Sequence, residues 1–309
     1  SFWYASNSSS LYFKAYEWHL NQHLDEEAIR YALRGEFYKE AADLIEQKGF
    51  FLYWTNNVKL LIPWLRDLPG DLIESRPHLQ ILKAYVEINK GNLREANKSF
   101  TQVQKHIQDH PGEKNEISMI IQGRSASGLS AICYHYYMDW QATLTHAQSK
   151  LQLLPKDYLF DRCVASFHGG GALIKLGELS QARDYLNNAM NLSNLSSYPS
   201  AKFLILSYLG ELNFTKGRLN QAQTLYQEVS DLAPILEGFG TQSPASSSLV
   251  GLALLHYEWN QLDKALTLLE KVVTITEGEE FIDRIMSSHS AMIKLQCTLE
   301  NYEAVQEYL

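Results

Sequence analysis

Two pairs of histidines are the residues of this sequence whose spacing could hold a metal ion. His19 and His23, and likewise His106 and His110, lie four residues apart, so that each pair would face one side of an α-helix. A zinc site needs a third and usually a fourth ligand, and neither pair has a nearby cysteine or an acidic third ligand. Ordinary surface or core histidines are therefore the better interpretation, and we expect no metal site.

Sequence motifs for catalysis are also missing. The carboxylates of Glu277, Glu279 and Glu280 have the spacing of a solvated loop, and the chain contains neither a Gly-x-Ser-x-Gly nor a His-Glu-x-x-His motif. No Gly-x-x-x-x-Gly-Lys-Ser/Thr sequence occurs, so the chain offers no phosphate-binding loop. We expect this chain not to be an enzyme and to carry no cofactor.

The composition is that of a folded, acidic protein. The 309 residues include 27 Lys and Arg against 35 Asp and Glu, and 45% of them are hydrophobic. An acidic balance provides no positive field for a nucleic-acid backbone, and no apolar run approaches the roughly 20 residues that a membrane-spanning helix needs. Three widely separated cysteines and the absence of a signal peptide after Ser1 favour a fragment of a cytoplasmic protein that does not bind membranes.

A short repeated pattern is the most informative feature of the chain. A turn residue is followed two places later by Leu or an aromatic residue and five places later by a small residue, as in Gly217, Leu219 and Ala222. The last five copies begin at positions 138, 177, 217, 260 and 300, which are 39, 40, 43 and 40 residues apart. Earlier copies begin at positions 35 and 91, and in the first of these the small residue, Ala41, comes one place late.

A period near 40 residues with amphipathic segments beside each turn is typical of stacked helical hairpins. Signals for strands are nearly absent. We therefore predict an all-α fold, a right-handed α-solenoid of about seven tetratricopeptide-like helix pairs. A single superhelical domain is expected over residues 1–309, with irregular segments at 104–118 and 238–248.

Three segments together resemble a known family of regulators. They are residues 255–265 (LHYEWNQLDKA), residues 28–77 (with AIRYAL, AADLI, WLRDLP and SRP), and residues 207–219 (with SYLGEL and GRL). In these residues the chain resembles the large ATP-dependent LuxR-type transcription activators, the family of the maltose regulator MalT and the alkane regulator AlkS. The segments span nearly the whole chain, and their order agrees with the family.

The resemblance implies a sensor domain that lies between an N-terminal signalling ATPase and a C-terminal DNA-binding helix-turn-helix, neither of which is present in this fragment. It implies that ATP is a cofactor of the full-length protein only. It also implies contacts with the protein's own ATPase domain, self-association, and DNA binding through the missing domain.

Glycines inside a predicted inner helix point to a site for the effector. Gly169, Gly170 and Gly171 follow one another where each costs on the order of 1 kcal/mol relative to Ala. Gly170 corresponds to Gly210 and is explained by close packing against a neighbouring helix. Gly171 differs, because the tetratricopeptide pattern implies that inner-helix positions ten and six residues before the turn line a concave groove.

Counting back from each turn gives three rows of groove residues. They are Gly128, Phe167, Ser207 and Val250; Ile132, Gly171, Glu211 and Leu254; and, one turn further along, His135, Ile174, Phe214 and Tyr257. The glycines are expected to leave a notch bordered by Phe167 and Glu211, where His168 and Lys175 add hydrogen bonds or charge. The predicted ligand-binding residues are Gly128, His135, Tyr136, Phe167, His168, Gly171, Lys175, Ser207, Glu211, Phe214 and Tyr257.

A concave, mostly aromatic site with few polar groups is how proteins hold small molecules. We therefore expect a small-molecule inducer in this groove, whose binding is relayed to ATPase-driven self-association of a transcription activator. The alternative is a protein-interaction scaffold whose groove receives a peptide or a partner domain.

Overall fold

The computed structural model of the protein describes residues 2–54, 57–109, 116–196, 199–237, 243–276 and 282–309. This part of the chain contains seventeen α-helices and one π-helical turn, and it contains no strand. The prediction of an all-α fold of helix pairs is confirmed. None of the helices within the described ranges is long and apolar enough to cross a membrane.

The helices form two compact units, residues 1–113 and residues 114–309. The single superhelical domain expected over residues 1–309 stays a prediction. The boundary falls inside the predicted irregular segment 104–118. Of the two predicted irregular segments, residues 110–115 and 238–242 lie outside the described residues, and the remainder belongs to helices.

The first unit is built from helix pairs around an apolar core. Its helices are α1 (Phe2–Asn21), α2 (Asp25–Arg34), α3 (Tyr38–Trp54), α4 (Val58–Asp67), α5 (Gly70–Ser75), α6 (Pro77–Asn89) and α7 (Leu93–Asp109). α3 packs against α6, and α6 packs against α7, where Tyr85 and Phe100 meet edge to face in the buried interior. Pro77 begins α6 at a position where the missing backbone N–H is not needed.

The second unit stacks further helix pairs in a regular order. Its helices are α8 (Glu116–Ile132), α9 (Trp140–Leu153), α10 (Leu159–Lys175), α11 (Leu179–Leu195), α12 (Pro199–Thr215), α13 (Leu219–Glu237), α14 (Ser243–Glu258), α15 (Leu262–Thr276), α16 (Ile282–Thr298) and α17 (Tyr302–Val305). A π-helical turn, Cys133–Tyr137, continues α8. α8, α10, α12, α14 and α16 each contact the next in this series, and we call them the inner helices.

Each turn of the repeat pattern contains a residue in the left-handed conformation. The backbone angle φ is positive at Gly91 (71°), Met138 (51°), Gly177 (81°), Gly217 (70°), Asn260 (56°) and Glu300 (58°). This conformation lets the next N–H bond to a carbonyl oxygen in the last helical turn, as from Glu178 N to Leu173 O at 2.9 Å. The predicted role of the first position of the pattern is thus confirmed, although three of these six residues are not glycine.

The first copy of the pattern is shifted by one residue relative to the prediction. The left-handed residue is Glu36, with φ of 62°, while Gly35 has φ of −87°. Counted from Glu36, the aromatic Tyr38 and the small Ala41 stand two and five residues later, as in the other copies. The shift explains why Ala41 comes one place late when the count begins at Gly35.

An additional hairpin joins α1 to α2. His23 adopts φ of 56°, and Ala28 follows it by five residues and is fully buried. The sequence analysis missed this copy because histidine is not a residue that favours the left-handed conformation as glycine does.

Gly177 allows the effect of the left-handed turn on stability to be measured by itself. A Cβ atom added there would meet no atom within 4 Å, so Gly177→Ala adds only backbone strain. We expect a loss of about 1 kcal/mol in the free energy of unfolding, measured by urea denaturation. Gly70→Ala is the matched control, because its Cβ also meets open space and its φ is not positive. An equal loss in both variants would contradict the explanation.

Candidate ligand-binding site

An aromatic cluster lies where the π-helical turn after α8 meets the middle of the inner helices α10 and α12. Tyr134, in the π-helical turn, stacks on His168 of α10 with ring centroids 5.9 Å apart. The Tyr134 ring also lies edge-on to Trp140 at 5.1 Å and to Tyr208 of α12 at 5.8 Å. Phe167 completes the cluster by stacking on Tyr208 at 6.4 Å. Two predicted residues, Phe167 and His168, are therefore buried among rings contributed by neighbouring helices.

The π-helical turn explains why the Tyr134 side chain lies in this cluster. The hydrogen bond that ends α8 runs from Asp139 N to Cys133 O at 2.9 Å and spans six residues, whereas the equivalent bond from Glu178 to Leu173 spans five. One residue is therefore inserted before the turn at Met138. The sequence analysis counted ten residues back from each turn, so the inserted residue shifts this count by one position in α8. Gly128 is therefore not the structural equivalent of Phe167, and the predicted row of groove residues does not continue onto α8.

Gly171 does not leave an open notch. A Cβ added to Gly171 would lie 3.0 Å from the rings of both Tyr134 and Tyr208, so these two rings already fill the space beside it. Their hydroxyl groups are hydrogen-bonded to each other, and burial raises the pKa of both phenols above its ordinary value. The glycine therefore serves the close approach of two tyrosines from α8 and α12.

Gly170 has the packing role that the sequence predicted. A Cβ at this position would lie 2.7 Å from Cδ2 of Leu186, which is fully buried in α11. The equivalent Gly210 lies in the same way against Tyr226 of α13. Both glycines allow an inner helix to lie close to its own partner helix.

An ion pair adjoins the aromatic cluster. Nδ1 of His135 lies 3.1 Å from Oδ1 of Asp283, at the beginning of α16, and the two side chains are only 12% and 17% exposed. Burial by itself raises the pKa of Asp283, but the charge and hydrogen bond of His135, helped by Arg284, hold it below its usual value. The His135 ring also packs edge-on against His168 with centroids 5.6 Å apart.

Two further predicted residues form an ion pair with each other. Lys175 Nζ of α10 lies 2.6 Å from Oε1 of Glu211 of α12. Both side chains are partly exposed, so they remain accessible from solvent. Glu211 also acts electrostatically on Tyr134 and Tyr208, which places this pair near the aromatic cluster.

The remaining predicted residues hold helices together. Ser207 donates to the carbonyl of Phe203 at 2.9 Å and shares a buried hydrogen bond of 2.7 Å with Ser248 of α14. Phe214 packs against the core between α13, α14 and α15. Tyr257 is hydrogen-bonded to Thr298 at 2.9 Å. Gly128 and Tyr136 are buried.

The sequence analysis did not select several residues of this site. Tyr134 stood in a recognisable aromatic run, and its role depends on the inserted residue of the π-helical turn. Tyr208 directly follows the predicted Ser207 in the sequence. Its ring contacts Tyr134 and Phe167, whereas Ser207 is hydrogen-bonded to Ser248. No sequence pattern indicated Asp283 and Arg284, because α16 is distant in the sequence from the other helices of the site and meets them only in the folded unit.

A cluster of buried, charged side chains lies between α8, α9 and α10, near enough to His168 for Lys150 to act on it electrostatically. Oδ1 and Oδ2 of Asp161 lie 3.5 Å from Lys150 Nζ and from Arg124 Nη2, respectively. The Lys150 side chain is fully buried. Burial outweighs the attraction of Asp161 and lowers the pKa of Lys150 to about 8.

The structure describes both members of only the first histidine pair, His19 and His23. His19 Nδ1 is hydrogen-bonded to the carbonyl of Ala15 at 2.7 Å, and its ring stacks on Tyr31, while His23 lies in the turn after α1. No group of three or more His, Cys, Asp or Glu side chains in the described residues could hold a metal ion. His110 lies outside those residues.

The carboxylates at positions 277, 279 and 280 likewise lie outside the described residues. Their predicted solvated loop therefore stays a prediction.

The depressed pKa of Lys150 predicts an unusual dependence of stability on pH. The unfolded chain keeps this proton up to a pKa near 10.5, whereas the folded chain releases it near 8, so a rise in pH between these values favours the folded state. Relative to Lys150→Met, we expect the wild-type free energy of unfolding to rise by about 1 to 2 kcal/mol between pH 7.5 and 9.5. Urea denaturation at several pH values measures this difference.

The matched control is Lys202→Met, because Lys202 forms a half-exposed ion pair with Glu228 at 3.1 Å. This variant should follow the pH dependence of the wild type. A Lys150→Met curve that also runs parallel to the wild type would show that Lys150 keeps its proton in the folded protein.

Comparison with known families identifies the second unit. Residues 125–309 match the sequence profile of the family described as "MalT-like TPR region". Among curated proteins, no sequence matches the chain significantly.

Solved structures share the fold. The crystal structure of the apo form of RapI has 14% sequence identity and a TM-score of 0.56, and the similarity covers 75% of this chain and 82% of that one. A Rap protein complexed with Competence and Sporulation Factor has 13% identity and a TM-score of 0.60, over 98% of this chain and 95% of that one. At these identities the similarity concerns the helical-repeat fold.

Proposed function

Because the chain belongs to the MalT-like TPR family, we propose that it is the effector-binding sensor of a transcription activator, with a small-molecule inducer bound at the inner helices of the second unit. The binding residues are those of the aromatic cluster together with His135, Lys175 and Glu211. No catalytic step is part of this function.

The convergence of side chains from separate inner helices is the observation that supports this proposal most directly. The π-helical turn after α8 contributes Tyr134, α10 contributes Phe167 and His168, and α12 contributes Tyr208 and Glu211. Sites for small molecules combine apolar and aromatic walls with a few polar groups that fix orientation. A ligand that touches all three helices would also couple their relative positions.

His168 provides a polar group with spare hydrogen-bonding capacity. Its side chain is buried, and Nδ1 has no hydrogen-bond partner among the described residues. Burial, together with repulsion from His135 and Lys150, lowers the pKa of His168 well below its ordinary value, so the imidazole is neutral at pH 7. A buried polar atom without a partner is costly, and a ligand hydrogen bond to it would remove that cost.

Membership of this family supports a proposal for signal transfer. We infer that inducer binding changes how the repeats contact an ATPase domain of the same protein, that self-association depends on ATP, and that DNA is bound through another domain. A ligand produces such a change only if it binds one conformation of the repeats more tightly than another.

A thermal-shift screen of sugars, alcohols, organic acids and aromatic compounds tests the ligand site. A compound that binds the folded protein raises the melting temperature by mass action. For such a compound we expect Lys175→Ala to weaken binding about fivefold or more, measured by calorimetry, because it removes a charge at the site. Glu228→Gln is the control, since it breaks the ion pair with Lys202 on α12 and α13 and should leave affinity unchanged.

Equal affinities for the wild type and Lys175→Ala would place the ligand elsewhere. Failure of every compound to stabilise the chain would remove the support for a small-molecule sensor.

A second candidate is the protein-interaction scaffold. It is favoured by the fold shared with a Rap protein that was solved in complex with Competence and Sporulation Factor. A stoichiometric complex of the full chain with a peptide or a purified partner domain, in the absence of any small-molecule ligand, would distinguish this candidate from a sensor.

A further inference from the structure

The two ends of the inner series of helices in the second unit meet. α16 contacts the π-helical turn that ends α8, in addition to its expected contacts with α14 and α15. The residues that join the two ends, His135 and Asp283, are 148 positions apart in the sequence. The inner helices therefore form a closed series that returns to its starting point.

This closing contact lies directly beside the proposed ligand site. His135 packs edge-on against His168, whose side chain is buried together with those of Tyr134 and Phe167. Asp283 and Arg284 act electrostatically on Tyr208, so the beginning of α16 lies near the same aromatic cluster. The beginning of α16 therefore covers the cluster on the side of His135, and a ligand that reaches the rings from this side has to displace it.

We propose that the His135–Asp283 ion pair is a latch that keeps the ligand site closed, and that separation of α16 from the π-helical turn admits the inducer. This inference rests on the proposed sensor function and specifies how access to its site is regulated.

The residues around the ion pair explain why this contact opens more easily than a helix packing interface. Tyr137 on the π-helical turn, Met138 directly after it, and Ile282 and Met286 on α16 are all exposed to solvent, so they do not form a buried apolar seal. The pair itself is largely shielded from solvent, so removing one partner leaves a buried polar group without its contact. Local opening of a protein occurs first where few buried apolar contacts must be broken.

The geometry of the π-helical turn supports the same conclusion. π-helical insertions occur preferentially at functional positions, because they disturb the regular hydrogen bonds of the helix. The insertion lies in the same short segment as His135, which contacts α16.

The charge of Asp283 strengthens this contact. Burial raises the pKa of Asp283, but its contact with His135 and the charge of Arg284 lower the pKa below its usual value, so Asp283 stays ionised near pH 7. A hydrogen bond to an ionised carboxylate is stronger than one between neutral groups, so the contact with His135 can hold α16 against the π-helical turn.

Hydrogen exchange of the whole chain without ligand tests the latch. We expect Asp283→Asn to raise the exchange rate of amides in the segments 133–138 and 282–290 by about five- to tenfold, with no change in α11.

His135→Gln is the second variant, because it removes the imidazole ring that contacts both Asp283 and His168. It should open the same two segments. Glu258→Gln is the matched control, since it breaks the exposed ion pair of 3.2 Å between Glu258 of α14 and Lys294 of α16. The control should leave exchange in both segments unchanged.

Unchanged exchange in both variants would overturn the latch. An increase spread evenly over α8 to α16 would also overturn it, because the pair would then stabilise the whole unit. The experiment uses no ligand, so a failure to find an inducer contradicts the sensor and leaves the result on the latch intact. If an inducer is found, Asp283→Asn should accelerate its association about threefold or more, and slower or equal association would contradict gating.

Discussion

Close approach of helix backbones immediately after each turn is the constraint on which both units depend. The small residue five places after the left-handed turn residue is fully buried at Ala41, Ala96, Thr143, Ala182, Ala222 and Ala265. A larger side chain at these positions would separate the two helices of a pair. The same requirement appears on the facing helix, where Gly170 and Gly210 lie against Leu186 and Tyr226. The repeat pattern therefore marks the positions where the backbones of paired helices come close together. This close packing brings the apolar side chains of the two helices into one core.

Polar groups buried between the inner helices distinguish the second unit from a purely apolar stack. Lys150 and Arg124 meet Asp161 between α8, α9 and α10, and Ser207 meets Ser248 between α12 and α14. Such groups are costly to bury without partners, so each pair favours one relative position of its helices over others. The unit thus combines an apolar frame with buried polar contacts that fix the relative positions of its helices.

The sequence allowed much of the fold to be predicted, since turn and small-residue spacing depends on local geometry. The errors were also local in origin. The copy at Gly35 was misplaced by one residue because Glu36 takes the left-handed conformation, and the hairpin at His23 was missed for the same reason. The groove row was broken at Gly128 because the inserted residue of the π-helical turn has no signature in the repeat spacing.

The amino-acid sequence was sufficient to establish the all-α helix pairs, their turns and the family, because each of these depends on residues within one repeat. The tertiary structure alone decided which side chains meet at the candidate site. Tyr134 and Tyr208 fill the space beside Gly171, and Asp283 reaches His135 across the unit. These contacts depend on the rotation accumulated over successive helix pairs. A small change in the rotation of each helix pair adds up over several pairs, and the spacing of residues within one repeat does not indicate this total rotation.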